Sequence, residues 1–342
     1  MSIRGKQTAK LLTRILIAAI LLIWVFSQVD LAQFFQTVKT AKWQYLAAVW
    51  LFTLLFFWIR SITLQLLLRK LDCSVDMVTL FGASAITSLY SMVMPGLLST
   101  GVKWYILKKD TGKGTNVLSS MLYNEVSIVV AMIVFGLAAL IAANPVSILW
   151  PETSQSWLLP GLCGASLALV VLVSVLLLNA RTGKPLITVL RLLSKPLPSS
   201  LQQHSAKILS QIAQFQTVGA WFHLAIAATN VIACIVGGVL IYVAAAKSAG
   251  ITVPVGTLIW LCAAVFVLGR LPISVANLGV REMTLTGLLS IYGVEKASAL
   301  LMSMVLFSSL IFMAVIGAAF QVLWGVDSKN SEVPMNKRIP RA

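Results

Sequence analysis

Apolar residues dominate the chain in long unbroken stretches, the clearest being Val117 to Ala143, Leu158 to Leu178, Gly219 to Ala246 and Ala297 to Trp324. Each is about 20 residues or longer, enough for a helix to cross a hydrocarbon core of ~30 Å. Segments 11–29 and 43–68 have the same character. The pattern predicts an all-α polytopic membrane protein with about six full transmembrane helices. Two further apolar segments are interrupted: Val78 to Leu107 by Met94-Pro95-Gly96, and about Val255 to Gly293 by Leu271-Pro272 and Asn277-Leu278-Gly279. Proline and glycine at such positions break helices, so each segment is expected to be a broken hairpin.

Composition agrees: 59% of the 342 residues are apolar and 11% are charged. The excess of 26 Lys+Arg over 10 Asp+Glu would suggest nucleic acid in a soluble protein. The cations instead cluster beside spans, at Arg4 to Arg14, Lys103 to Lys113, Arg181 to Lys207 and Lys329 to Arg341. That is the pattern of loops retained in the cytoplasm, and it argues against a nucleic-acid partner. Met1 to Phe26 resembles a secretory signal, but Ser27 to Asp30 offers no small-residue cleavage site, so a retained first helix is expected.

Threading the chain with basic loops inside admits one tidy solution. Residues 1–10 start in the cytoplasm, the first two helices go out and return, and the first hairpin enters and leaves on the cytoplasmic face. Spans 117–143 and 158–178 flank an external loop with Pro145 and Pro151. The basic stretch Arg181 to Gln216 is a cytoplasmic amphipathic helix broken at Pro196 and Pro198. Span 219–246 exits, the second hairpin dips from the external face, and span 297–324 returns to the tail, 326–342. A single membrane domain, 11–325, then reads as an inverted repeat with halves 11–143 and 158–324, an architecture common in secondary transporters. The expected location is the plasma (inner) membrane, with both termini cytoplasmic.

Broken backbone at membrane depth survives only against protein or a watery cavity, so the two breaks point to an interior site. Helix ends opened at Pro95 and Pro272 can aim backbone amides at an anion, with Ser99, Thr100, Ser274 and Asn277 adding short polar groups. The alternative is that these prolines merely kink packed helices. Among charged residues, Arg60 and Glu125 lie well inside full spans at matching depth, ~12 Å from the same face. They read either as a structural ion pair or as part of a site. Lys103, Arg270, Arg281 and Glu282 belong to the hairpins, where the cations suit a phosphate; snorkelling to the interface is the alternative reading of Lys103 and Arg270. The candidate substrate-binding set is Arg60, Pro95, Gly96, Gly101, Lys103, Glu125, Arg270, Pro272, Ser274, Asn277, Gly279, Arg281 and Glu282.

No catalytic motif accompanies them. Acidic residues are scattered, no Gly-rich phosphate loop or nucleophile elbow occurs, and His204 and His223 lack metal-spaced partners. No catalytic residue, metal or cofactor is expected. Cys73, Cys163, Cys234 and Cys262 show no paired spacing and read as small core residues. The tryptophans fall mostly near span ends, as an interfacial belt does.

The string Leu271-Pro272-Ile273-Ser274 through Gly279-Val280-Arg281-Glu282, with Leu288-Leu289 and Tyr292-Gly293-Val294, resembles the signature of the lysylphosphatidylglycerol synthase transmembrane, or flippase-like, family. Met94-Pro95-Gly96 with Gly101 and the following cation is similar to that family's other motif, and the resemblance covers about residues 10 to 325. It implies a domain that moves an anionic, aminoacylated or polyprenyl-linked lipid between leaflets. Two departures stand out. Some 18 polar residues follow the last span, so the soluble aminoacyl-transfer domain of the bifunctional synthases is not expected. Lys103 stands where the family more often has Arg, and Val126 replaces an Arg common after the Glu. The expected partner is a membrane lipid, with a separate lipid- or glycan-modifying enzyme as a further candidate. Two alternative functions stay open. One is a membrane-embedded transferase on a polyprenyl-phosphate sugar, using Glu282 or Glu152. The other is a non-catalytic member of an envelope-synthesis complex docking through Arg181 to Gln216.

Overall fold

The computed structural model describes residues 31–92, 94, 96–149, 157–179, 218–270 and 277–330, with scattered positions between 182 and 216. The first expected span, most of the basic stretch Arg181 to Gln216, the tail beyond Asn330, and Pro95, Pro272, Ser274 and Glu152 lie outside the described residues. Within them the chain is helical and carries no strand. Besides the single turn Val146–Leu149, the helices are α1 (Leu31–Thr40), α2 (Gln44–Lys70), α3 (Met77–Ser91), α4 (Gly96–Thr111), α5 (Gly114–Ala143), α6 (Leu158–Leu178), α7 (Ala220–Ser248), α8 (Val255–Leu268), α9 (Val280–Ser290) and α10 (Lys296–Asn330).

Five of these, α2, α5, α6, α7 and α10, are long and apolar enough to cross a membrane. They coincide with the expected second to sixth spans, and the protein is a polytopic α-helical membrane protein. Helix α1 was not foreseen; it occupies the connection expected to join the first two spans. The interrupted segments form pairs of short helices. The 15 residues of α3 and 14 of α8 reach only ~22 Å and ~21 Å, less than the ~30 Å of a hydrocarbon core. In each pair the two short helices pack on each other, α3 on α4 and α8 on α9. Helix α3 starts cleanly because the Asp76 carboxylate accepts the Val78 N–H at 2.9 Å, an N-cap that satisfies an otherwise orphaned donor.

The most extensive helix contacts exchange partners between the two ends of the chain: α3 lies along α10, and α8 lies along α5. In both crossings a glycine of the long helix meets an alanine of the short one. A methyl group added at Gly136 would collide with the Ala263 side chain, and one at Gly317 with the Ala85 carbonyl. Ala85 and Ala263 occupy the same place counted from the start of α3 and of α8. Small residues permit such close backbone approach, and van der Waals contact is what holds helices together where the solvent is as apolar as the side chains.

This geometry predicts a difference between two conservative changes. Gly317→Ala drives a methyl into backbone and should lower stability by about 1–2 kcal/mol even after the gain in helix propensity. Gly136→Ala meets a side-chain methyl instead, so adding Ala263→Gly should recover most of its loss. Thermal unfolding in detergent measures both, and equal recovery of Gly317→Ala by Ala85→Gly would contradict the reading.

Helix α7 carries a π-helical segment, Ile235–Leu240, directly against α2. Gly237 leaves room there for the Phe56 ring, which a Cβ would meet at 2.9 Å. The wide turn thus seats Phe56 beside the polar cavity described next. By contrast, α6 rests mainly on α5 and exposes Leu162, Leu169, Leu172 and Val175, as a lipid-facing helix should.

Candidate functional site

A cavity of about 230 Å³ opens among α2, α3, α4, α5 and the end of α8. Four elements bring charge to it: Arg60 from α2, Lys103 from α4, Glu125 from α5 and Arg270 just after α8. The Glu125 carboxylate is the hub. One oxygen accepts from Arg60 Nη2 at 3.0 Å and the other from Arg270 Nη1 at 2.7 Å, so residues far apart in sequence share one anion. The Arg60 side chain is 11% exposed, against 39% for Glu125 and 45% for Arg270. Arg60 is therefore the anchored member, and the other two border open space.

Arg60 is held from several directions. Its Nη1 donates to the Asn124 side-chain oxygen at 3.0 Å, to the Asn124 carbonyl at 3.2 Å and to Asn230 Oδ1 at 3.4 Å. Asn230 Nδ2 donates to Ser127 Oγ at 3.0 Å, and that hydroxyl donates to the Asn124 carbonyl at 3.0 Å. Asn124 and Asn230 are almost fully buried, so these bonds replace the water that a membrane interior denies to a guanidinium. Arg270 has an apolar support instead: its guanidinium lies 4.7 Å from the centre of the Phe266 ring.

The opposite wall is a polar stripe along α3. Ser84, Thr87, Ser88 and Ser91 repeat at helical spacing and all line the cavity. Their hydroxyl protons are committed to their own helix: Ser84 donates to the Leu80 carbonyl at 2.8 Å, Thr87 to Ala83 at 2.7 Å and Ser91 to Ser88 at 2.8 Å. What they offer the cavity is lone pairs. The cavity thus presents three cations with a single carboxylate, and hydrogen-bond acceptors along α3.

A second polar cluster lies at the start of α9. Arg281 and Glu282 are 4% and 2% exposed and pair with each other. Arg281 Nε donates to Ser303 Oγ at 2.8 Å, Ser303 Oγ donates to Glu282 Oε1 at 2.9 Å, and the Gly279 N–H donates to Glu282 Oε2 at 2.7 Å. The Arg281 guanidinium also sits 5.1 Å from the Phe307 ring centre. Left-handed backbone at Asn277 (φ 60°) and Gly279 (φ 81°) leads the chain into α9, and the Asn277 amide lies against Gly269. The cluster ties the second short-helix pair to α10.

The structure therefore divides the predicted residues. Arg60, Lys103, Glu125 and Arg270 come together, whereas Arg281, Glu282, Asn277 and Gly279 form the separate cluster and do not line the cavity. Gly96 begins α4, and Gly101 faces open space on it. Glu282 is engaged by three donors, Arg281, Ser303 and the Gly279 N–H. Glu125 and Arg60 do pair, as their matched depth suggested. Sequence reasoning missed Asn230, Ser127 and the stripe from Ser84 to Ser91. The stripe was readable as polar residues recurring at helical spacing in an apolar segment, and Asn230 as a lone amide inside an apolar span. Nothing in the sequence pointed to Phe266 or Phe307 as guanidinium supports.

Among the described residues no group of His, Cys, Asp and Glu is placed to hold a metal ion. The four cysteines are buried and free.

A multi-pass helical bundle with a charged cavity among its helices and with pairs of shorter apolar helices is the architecture of a polytopic membrane domain. The chain belongs to the family described as the lysylphosphatidylglycerol synthase TM region, whose model matches residues 11–318. It is accordingly a multi-pass membrane protein of lipid metabolism or transport. No curated protein and no solved structure matches the chain.

Proposed function

We propose that the protein moves an anionic membrane lipid between leaflets, with the lipid's phosphate drawn to Arg60, Lys103 and Arg270. The observation that carries this reading is the cavity's charge: three cations face one carboxylate, a surplus suited to a phosphate. Glu125 holds the two guanidiniums in place. The lone pairs of Ser84, Thr87 and Ser88 suit a head group that also carries donors, such as a hydroxyl or an ammonium.

The exchanged contacts of α3 with α10 and of α8 with α5, each including a glycine–alanine contact, support an inverted repeat in which the paired short helices enter from opposite faces. In this reading the termini are cytoplasmic in a plasma (inner) membrane, and the second cluster locks one short-helix pair while the first stays open. The site's partner is a membrane lipid, supplied or consumed by a separate lipid- or glycan-modifying enzyme.

Binding tests the reading. A ligand that binds only the folded protein raises its melting temperature with concentration. Phosphatidylglycerol should stabilise the purified protein more than phosphatidylcholine, and Arg270→Gln, which removes a cavity-facing cation, should weaken that preference about tenfold. Equal stabilisation by both lipids would overturn the proposal.

A further inference from the structure

A second cavity, of about 310 Å³ and almost wholly apolar, lies between α5, α6 and α7. It sits within the ~300–1,000 Å³ typical of ligand pockets. Along α5 it runs from Tyr123 to Phe135, ~18 Å, close to the ~15 Å depth of one leaflet of hydrocarbon. Its far wall is Ala227 and Val231 of α7, and Val231 is itself 47% exposed, so the cavity opens toward the bilayer beside the lipid-facing helix α6. An unfilled apolar space forfeits dispersion contacts along its whole lining, and beside lipid the available filler is hydrocarbon.

What distinguishes this groove from ordinary lipid-facing surface is its boundary with the charged cavity. Ser127 and Asn230 line the groove, and the same Asn230 accepts from Arg60, which lines the charged cavity. A single hydrogen-bonded layer, Arg60–Asn230–Ser127, therefore separates a chamber suited to a phosphate from one suited to a chain. Amphiphiles have that juxtaposition built in. Resting on the reading of the charged cavity given above, we propose that the groove holds one hydrocarbon chain of the same lipid, with Asn230 and Ser127 at the level where head group meets chain.

The test is photolabelling of the full-length protein in nanodiscs with phosphatidylglycerol carrying a diazirine in one acyl chain, alongside the phosphatidylcholine counterpart. Adducts are expected on Val130, Val134, Ala227 and Val231, and more with the anionic probe. Ala227→Trp fills the groove and should cut these adducts about tenfold while leaving those on exposed Leu169 and Leu172 unchanged. Val134→Phe serves the same purpose if the tryptophan variant does not fold. Adducts confined to the outer face of α6, or groove adducts insensitive to both fillings, overturn the proposal even if the protein still prefers anionic lipid. Groove adducts sensitive to filling but equal for the two probes leave the chain site standing and overturn the phosphate reading instead.

Discussion

Glu282→Gln is expected to be among the most damaging single changes in the protein, lowering stability by about 3–5 kcal/mol, the usual cost of stripping the partner from a buried charge. Glu282 is 2% exposed and receives hydrogen bonds from Arg281, Ser303 and the Gly279 N–H. A carboxamide keeps the shape but carries one acceptor oxygen, and its NH₂ must face a donor already there. Arg281 is left charged, buried and unmatched. The same principle predicts rescue: removing the polar groups together, as Arg281→Met, Glu282→Leu and Ser303→Ala, should regain at least half of the loss, because apolar replacements of a buried ion pair are often neutral or better. Thermal unfolding in detergent reads both. A rescued variant that still prefers phosphatidylglycerol would identify the cluster as an anchor for α9; a rescued variant that loses the preference would return Arg281 to the binding site.

Glu125→Gln should have the opposite balance, a modest effect on folding and a large one on function. Glu125 borders open space, so losing its charge should cost about 1–3 kcal/mol. Arg60 and Arg270, now without their shared anion, repel each other, and adding Arg270→Gln should recover stability where adding a change at Leu172 should not. The functional consequence follows from competition. With the carboxylate gone, a phosphate has sole claim on three cations. Stabilisation by phosphatidylglycerol should therefore exceed that of the native protein, while leaflet exchange falls about tenfold because the lipid is held too tightly to leave. Weaker stabilisation together with unchanged exchange would show that Glu125 only braces the helices.

Much of the fold was legible because lipid imposes simple rules. Span boundaries read from apolar runs alone, such as 158–178, coincide with Leu158–Leu178, since nothing in a bilayer competes with a continuous helix. The interrupted segments Val78 to Leu107 and Val255 to Gly293 coincide with the helix pairs α3–α4 and α8–α9. The site was legible only in part. Arg60 and Glu125 stood out because charge in a span demands a partner, but a one-dimensional reading of the hairpins grouped Lys103, Arg270, Arg281 and Glu282 together. Which of them share a cavity depends on helix rotation: Arg281 turns inward to Ser303 and Phe307, whereas Arg270, at the end of α8, reaches across to α5. Helix α1 was hidden because its ten residues mix apolar and polar positions too briefly to stand out.

The central claim is that the charged cavity carries anionic head groups through the bilayer, and leaflet exchange measures that directly. The protein is reconstituted in liposomes with fluorescent phosphatidylglycerol or phosphatidylcholine, and a membrane-impermeant quencher reports the label transferred between leaflets over time. The account predicts exchange of the anionic lipid above that of empty vesicles, with Arg60→Gln and Arg270→Gln each slowing it about tenfold without loss of folded protein. Exchange no faster than in empty vesicles across a range of anionic head groups, or exchange indifferent to both arginines, would contradict it.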